Sequence, residues 1–423
     1  MKKIFLSSIF ILTLSINVNA NERDFNKFIN WLSDNNHNQY FEINENYEEC
    51  KNCTTWDAGP RCFEKVGKPK KQCVLNGDQS YGEGGFKWTN YEKYKTNLNI
   101  KINNKATSGT NIAYDTNPNR DSLIYYLWKY SYRDRKSMRE FKSKNNSTDF
   151  KFNLIEDEYL KKQMKTKGIL SYLYYQDGQI LIDEISPKER LGEFLNNETK
   201  FYSMSMGKSV TSYILGHAIC DGYIDGVDAR IDDWPLLNDS IYNNQKLINF
   251  LNMSTGDQKY INEFKSGVSA LGLYEDRDIR STMVLHFTNN NKKKSKNTYN
   301  YNGFVTQLII NYLKFKTGKD YEKLYSKVFN DKVKIEHSIM YGETEGQEEF
   351  GNGHPNIKAT RFDYLRIAKA MMDDYQNNTC VGKYLREIHK RRIPKQYNKN
   401  KDEPEFNRTK SYGGQFHMDY PGL

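Results

Sequence analysis

The Ser-x-x-Lys segment at Ser205 and Lys208 constrains the fold more than any other, because an apolar helix begins directly after it. Apolar residues recur there at helical spacing, at Val210, Ile214 and Ala218. A serine and a lysine three positions apart lie on one face of a helix. We therefore expect a helix that begins near Ser205 and carries these two side chains next to each other.

This pair has the chemistry of an acyl-transfer site. A serine hydroxyl is a weak nucleophile and needs a neighbouring base to take its proton. A lysine serves as that base where burial or a nearby cation disfavours the ammonium form. If Ser205 opens the helix, its backbone N–H points towards developing negative charge. The alternative is a helix start with a solvated lysine, which a lysine-rich chain also produces by chance.

The first twenty residues predict a secretory signal. Lys2 and Lys3 precede an apolar run at positions 4–14, and Val18-Asn19-Ala20 ends the segment with small residues at the cleavage-site positions. We expect cleavage after Ala20 and a periplasmic or secreted bacterial protein. The run is too short for a comfortable membrane span, and no later stretch reaches that length. An uncleaved anchor is the alternative.

The charge of the chain does not indicate a nucleic-acid partner. The formal net charge of +10 is spread along 423 residues. The one dense cluster, at positions 292–296, follows three asparagines and has no aromatic or glycine pattern beside it. We interpret it as a solvated loop and expect no nucleic-acid binding.

Four of the six cysteines fall within 24 residues, at Cys50, Cys53, Cys62 and Cys73. In an exported protein they predict two local disulfides, for which three connectivities exist. Zinc is the weaker alternative, because the Cys-x-x-Cys at the start of this group has no second copy. We therefore predict no metal and no cofactor. Cys220 and Cys380 either pair with each other or remain buried thiols.

The chain divides into a signal peptide (1–20), a loop-rich, cysteine-containing N-terminal region (21–150) and a main domain (151–423). Near the end of the N-terminal region, an apolar stripe predicts a helix between Asp121 and Phe141. The main domain opens with a short helix near Glu156–Lys165. Two β-rich runs joined around Asp177-Gly178 then predict a hairpin.

Three more helices are predicted downstream. A short one, over 245–252, is closed by Met253-Ser254-Thr255-Gly256. A long one runs from Gly303 to Lys316 and ends at Thr317-Gly318, and another covers Arg361–Asp374.

This order of elements resembles the serine β-lactamase and penicillin-binding-protein superfamily. It is most similar to the class C-like serine hydrolases, which include esterases, D-aminopeptidases and nylon-oligomer hydrolases. The string at 203–212 is close to the Ser-Met-x-Lys-Ser-(Val/Phe)-Thr-Ser motif of these hydrolases. The resemblance covers roughly residues 155–423. It implies an α/β (α+β) fold, with an antiparallel sheet flanked by helices and an all-helical subdomain. It also implies that Ser205 is the acylated nucleophile and Lys208 its proton acceptor.

The resemblance also implies a catalytic tyrosine just before a long helix. Tyr-x-Asn alone does not identify it, because the pattern recurs in this Tyr- and Asn-rich chain. Tyr301 has the family's distance to the helix end at Thr317-Gly318, and Val305-Thr306-Gln307-Leu308 resembles the continuation in nylon-oligomer hydrolases. Tyr301 is thus the predicted catalytic tyrosine, and Tyr299 is the runner-up.

The chain departs from the family pattern at Gly303, which stands where the family has Asn or Ser. The missing side chain contacts substrate in β-lactam-recognising members, so efficient β-lactam hydrolysis is not expected. The family's third motif is also missing. The literal Lys316-Thr317-Gly318 follows Tyr301 too closely and is interpreted as a helix C-cap.

Residues 411–418 resemble the strand that precedes the third motif, and the chain then ends at Leu423. We expect the main domain to be C-terminally incomplete; the alternative is that Gly413-Gly414 serves as the oxyanion strand. We interpret His417 as a strand-face residue.

The leading hypothesis is an exported serine hydrolase acting on a small-molecule, ester or short peptide substrate. Two alternatives stay open. One is a non-catalytic envelope protein of the same fold that binds peptidoglycan, and the other is a penicillin-binding-type D-Ala carboxypeptidase. Neither the substrate nor the oligomeric state follows from the sequence.

Overall fold

The computed structural model describes residues 138–190, 192, 195–257, 279, 283, 296–343, 353–395 and 409–420. The predicted signal peptide, the four early cysteines and most of the predicted N-terminal region lie outside these residues. Within them, antiparallel strand pairs combine with helices, which confirms the predicted mixed α and β fold class.

The strands are β1 (Met138–Phe141), β2 (Lys151–Phe152), β3 (Ser171–Gln176), β4 (Gln179–Ile185), β5 (Lys200–Tyr202), β6 (Arg230–Ile231), β7 (Gln245–Lys246), β8 (Ile339–Glu343), β9 (Gly353–Thr360), β10 (Ile393–Pro394), β11 (Ser411–Gly413) and β12 (Phe416–Met418). The helices are α1 (Glu158–Thr166), α2 (Met206–Cys220), α3 (Leu247–Leu251), α4 (Gly303–Thr317), α5 (Tyr321–Ser326), α6 (Arg361–Gln376) and α7 (Cys380–Lys390).

The largest sheet of the described part has the order β1-β8-β9-β5, and all its pairs are antiparallel. Its edge strand β1 corrects the predicted helix between Asp121 and Phe141, because the last four residues of that span pair with β8. Phe141 is buried there and stacks on Tyr325 at 5.3 Å between ring centroids. The partner strand lies about 200 positions later, so the local sequence does not show that the predicted helix ends before these four residues.

The predicted hairpin around Asp177-Gly178 is confirmed. Strands β3 and β4 pair antiparallel up to Gln176 and Gln179, which leaves a two-residue turn. Both turn residues have positive φ, at 49° for Asp177 and 84° for Gly178. A two-residue turn of this kind matches the twist of the flanking strands and favours Asp-Gly. Helix α1 precedes the hairpin and is capped by the Asp157 carboxylate, which accepts from the Leu160 N–H at 2.8 Å.

Helices α2 and α4 form the centre of the core. Eleven residues of α2 are buried, including Tyr213, Ile214 and Leu215, each with no exposed surface. Helix α4 packs against both α2 and β9. A helix that is apolar on most of its sides is an interior helix, and α2 carries the predicted catalytic pair at its first turn.

The ends of α4 follow the sequence prediction. Asn302 is its N-cap, and its Oδ1 accepts from the Val305 N–H at 2.9 Å. Gly318 is its C-cap, with φ at 51°. Lys316-Thr317-Gly318 is therefore a helix end, as predicted.

The last described strands form a small sheet of order β10-β11-β12, whose β11–β12 turn lies against α3.

The sulfur atoms of Cys220 and Cys380 lie within bonding distance, and their Cα atoms are 5.9 Å apart. The sequence left open whether these two cysteines pair or remain buried thiols, and in the structure they pair. The link joins the end of α2 to the start of α7.

No helix in the described residues has the length and apolar character needed to cross a membrane.

Candidate active site

Ser205 lies at the turn between β5 and α2, as the N-cap of that helix. The N-cap side chains of α1, α4, α6 and α7 each accept a hydrogen bond from their own helix. Ser205 makes no such bond, although serine is a strong N-cap residue. The residue before it, Met204, has φ at 46°. The exposed Ser205 hydroxyl is thus not engaged in capping.

Two contacts with β9 hold this turn in place. The Ser203 N–H donates to Ile357 O at 2.7 Å, and the Ile357 N–H donates to Ser203 Oγ at 3.0 Å. Gly207 lies so close to β9 that a Cβ atom at this position would stand 1.8 Å from Pro355 O. The backbone of α2 therefore approaches the sheet at a distance that glycine alone permits.

Lys208 extends from the first turn of α2 towards the serine. Its Nζ donates to Ser205 Oγ at 3.4 Å, and its side chain is 8% exposed. Within the described residues, no carboxylate forms an ion pair with it. The same Nζ stands 5.2 Å from the centroid of the Tyr301 ring. The amine thus lies between the serine hydroxyl and a tyrosine ring.

Tyr301 directly precedes the N-cap of α4, and its side chain is 39% exposed. The runner-up, Tyr299, packs instead on Tyr412 at 5.1 Å and has Lys395 Nζ 6.0 Å from its ring centroid. The structure therefore brings Ser205, Lys208 and Tyr301 together. Tyr299 instead lies against Tyr412 and Lys395.

The β11–β12 hairpin adds two aromatic side chains that sequence reasoning did not assign to the site. The Tyr412 ring lies 5.9 Å from Tyr301, edge to face, and the His417 ring lies 5.5 Å from it. His417 was predicted as a strand-face residue; on β12 its ring faces Tyr301. The resemblance of residues 411–418 to a family strand was the one signal that could have found both.

The ionisation of this aromatic group is shifted by its surroundings. The His417 side chain is exposed on β12, but desolvation of its ring against its neighbours, together with the positive charges of Lys395 and Lys208, lowers its pKa to about 4. Burial raises the pKa of the Tyr412 hydroxyl well above its usual value. At neutral pH, both side chains beside Tyr301 are therefore uncharged.

The turn of this hairpin fastens it to α2, α3 and α4. Gln415 is 2% exposed; its carbonyl accepts from Ser209 Oγ at 3.0 Å, and its Oε1 accepts from Thr306 Oγ1 at 2.8 Å. The Gly414 N–H donates to Asn252 Oδ1 at 3.0 Å. The Gly414 N–H is therefore engaged within the fold.

The arrangement joins an exposed hydroxyl, a buried amine and a phenol at the positive end of a helix. The Ser205 N–H finds no acceptor within the described residues and is available to a developing oxyanion. No cluster of three or more His, Cys, Asp or Glu side chains within the described residues has an arrangement that could hold a metal ion.

Two solved structures are similar to this chain. One, from Bacillus anthracis, is provisionally described as a 6-aminohexanoate-dimer hydrolase. It matches with a TM-score of 0.47 and 13% identity, over 73% of this chain and 83% of its own. The other, from Bacteroides dorei, is provisionally described as a beta-lactamase and matches with a TM-score of 0.36 and 18% identity, over 49% of this chain and 58% of its own. No protein-family model and no curated protein sequence matches the chain.

Proposed function

We propose that this chain is an exported serine hydrolase that cleaves an ester or amide bond through an acyl-enzyme on Ser205. The observation that carries the proposal is the contact between the buried Lys208 amine and the exposed Ser205 hydroxyl, with the Tyr301 ring against the same amine. A nucleophile, a base within reach of its proton and a third group beside the base are what nucleophilic catalysis requires.

In the proposed acylation, Ser205 Oγ attacks the carbonyl carbon while its proton passes to the Lys208 amine, which can accept it only in its unprotonated form. The Ser205 N–H stabilises the oxyanion of the tetrahedral intermediate. The bond to the leaving group then breaks, and the leaving group takes the proton from Lys208, directly or through the Tyr301 hydroxyl. In deacylation, water attacks the carbonyl carbon of the Ser205 ester and gives one proton to Lys208, directly or through the Tyr301 hydroxyl. The bond between this carbon and Ser205 Oγ then breaks, and Oγ takes the proton from Lys208 as the acid departs.

The substrate of this proposal is a small molecule or a short peptide, as the resemblance to class C-like serine hydrolases implies. Gly303 begins α4 two residues after Tyr301 and offers no side-chain amide to a substrate. We therefore expect short-chain esters, amides or D-amino-acid peptides to be turned over faster than β-lactams.

The test of the proposal is labelling and turnover of the full-length protein. A fluorophosphonate probe should label the wild type, and Ser205→Ala should abolish both labelling and turnover. Ser209→Ala is the matched control, because Ser209 lies on the same helix but donates its hydroxyl to Gln415 O. It should still be labelled. A wild type that resists the probe and cleaves nothing in a panel of esters, amides and D-amino-acid peptides would exclude the proposal.

The same panel separates the alternatives. Stable acylation by a labelled penicillin would favour the D-Ala carboxypeptidase. Binding to purified cell wall that Ser205→Ala leaves unchanged, without turnover, would favour the non-catalytic envelope protein. For export, the N-terminus of protein recovered from a bacterial periplasm or medium should begin at Asn21.

A further inference from the structure

Asp257 is a carboxylate held inside the protein without a cation. Its side chain is 1% exposed, and no lysine or arginine pairs with it within the described residues. Burial raises the pKa of this carboxyl, while its hydrogen bonds act in the opposite direction. A buried carboxylate is costly to a fold unless several donors compensate it. Its partners therefore indicate what it does.

Among those partners are the residues on either side of Tyr301. Asn300 Nδ2 donates to Asp257 Oδ1, and Asn302 Nδ2 donates to Asp257 Oδ2, both at 3.4 Å. Tyr242 supplies the shortest bond, from its hydroxyl to Oδ2 at 2.9 Å. The two carboxylate oxygens thus hold the two neighbours of the predicted catalytic tyrosine.

The same segment is tied by its backbone to the loop that carries Asp257. The Asn300 N–H donates to Met253 O at 2.7 Å. Asn302 is also the N-cap of α4, and its amide donates to Asn300 O at 3.1 Å. With both neighbours fixed, the backbone of Tyr301 has little freedom, although its ring is partly exposed.

We infer that Asp257 is a positioning residue, which holds Asn300 and Asn302 and thereby sets the place of Tyr301 beside Lys208. This inference rests on the proposed function, because it gives the tyrosine a role in turnover. A displacement of about 1 Å in a reacting group is enough to slow catalysis roughly 100-fold.

Asp257→Asn keeps the shape of the side chain and tests the inference. An amide has one acceptor oxygen, whereas the two asparagines donate to different oxygens. One of them must lose its bond, whichever way the new amide turns. We expect kcat for a short ester to fall about 10- to 100-fold with little change in KM. Fluorophosphonate labelling should persist, because Ser205 and Lys208 are untouched.

The decisive measurement is a double-mutant cycle with Tyr301→Phe. If Asp257 acts through Tyr301, Asp257→Asn should add little to the loss that Tyr301→Phe already causes. Asp363→Asn is the matched control. Asp363 is fully buried and accepts from the backbone N–H groups of Glu336 and His337 at 2.8 and 3.1 Å. Its effect should multiply with that of Tyr301→Phe.

Asn300→Ala tests the same link from the other side if Asp257→Asn does not fold, and it should show the same non-additivity with Tyr301→Phe. Multiplicative losses for both variants in an active enzyme would overturn the inference and leave the proposed function standing. A wild type without any turnover would contradict the proposed function, and the inference would fall with it.

Discussion

At the scale of single residues, the proposed nucleophile and the proposed base differ in their exposure to solvent. Ser205 is open to solvent, while Lys208, one helical turn later, is 8% exposed. The serine can therefore meet a substrate from outside, and the amine approaches it from the protein side at 3.4 Å. Substitution of Lys208 should therefore slow the reaction of Ser205 with a probe without removing the serine itself.

Lys208→Met should lower the rate of fluorophosphonate labelling about 10²- to 10⁴-fold, because a thioether cannot accept the serine proton. Lys200→Met is the control: Lys200 lies on β5, donates to Ser338 Oγ at 2.6 Å and has no contact with Ser205. Its labelling should match the wild type. The labelling rate is measured by mass spectrometry. A rate for Lys208→Met equal to that of the wild type would contradict the role of Lys208 as base.

His217 is a second residue whose environment has a measurable consequence. It is buried on α2, edge to face with Tyr213 at 4.8 Å, and its Nε2 has no hydrogen-bond partner within the described residues. Burial lowers the pKa of His217 to about 4, although the carboxylates of Asp374 and Asp221 act in the opposite direction. The folded protein therefore holds this histidine neutral at pH values where an unfolded histidine binds a proton.

The free energy of unfolding should fall as pH decreases from about 6.5 towards 4, because the unfolded state binds the His217 proton first. The contribution of this group is about 3 kcal/mol over that window. His217→Phe should make this part of the pH profile shallower, measured by urea unfolding at pH 7, 6, 5 and 4, while His417 keeps its own share of the slope. His389→Phe, at a partly exposed histidine, is the control. A profile that His217→Phe leaves unchanged would contradict the assignment.

At the scale of elements, the junction of α2 with β9 positions Ser205, the proposed nucleophile. Gly207 has no room for a side chain, because a Cβ atom would meet Pro355 O at 1.8 Å and Ser203 Oγ at 2.6 Å. The first of these atoms belongs to the backbone of a central strand and cannot rotate away. A shift of the β9 backbone at Pro355 would also move the turn that orients Ser205, because that turn is bonded to β9 at Ile357.

Gly207→Ala should reduce the free energy of unfolding by about 2 kcal/mol or more, because the added methyl group forces α2 and β9 apart. Fluorophosphonate labelling should fall with it. Met206→Ala at the neighbouring position, where the side chain is 48% exposed, should change stability by less than about 1 kcal/mol. Equal urea midpoints for the two variants would contradict this close approach.

The elements that the sequence predicted well are those set by local chemistry. The Asp177-Gly178 turn, the α4 cap at Gly318 and the serine at the start of α2 each depend on residues within a few positions. The helix expected up to Phe141 was wrong at its end, because β8, about 200 residues later, pairs with it. Neither Asp257 nor Gln415 was predicted, because their partners lie up to 45 and 206 positions away.

At the scale of the whole molecule, the Cys220–Cys380 link closes a loop of 160 residues. This loop includes α3, α4 and the central strands β8 and β9, so that the link restrains most of the described core. A long closed loop lowers the entropy of the unfolded chain more than a short one does. Oxidation is also what an exported protein would encounter.

A Cys220→Ala/Cys380→Ala variant should be less stable than the oxidised wild type by about 2–5 kcal/mol, by urea unfolding. Dithiothreitol should lower the Tm of the wild type more than that of the variant, in which only the four early cysteines remain to be reduced. A reductant effect of the same size on both proteins would show that the stabilisation comes from other cysteines.

The sequence by itself determined that Ser205 and Lys208 lie next to each other, because serine and lysine three positions apart share a helix face in any fold that keeps the helix. Tyr301 could be proposed from its distance to the end of α4. Only the tertiary structure decided that the Tyr301 ring meets Lys208, that Cys220 meets Cys380 and that the β11–β12 hairpin surrounds the tyrosine. These contacts join segments that are far apart in the chain. They form only when α2, α4 and the central sheet pack together.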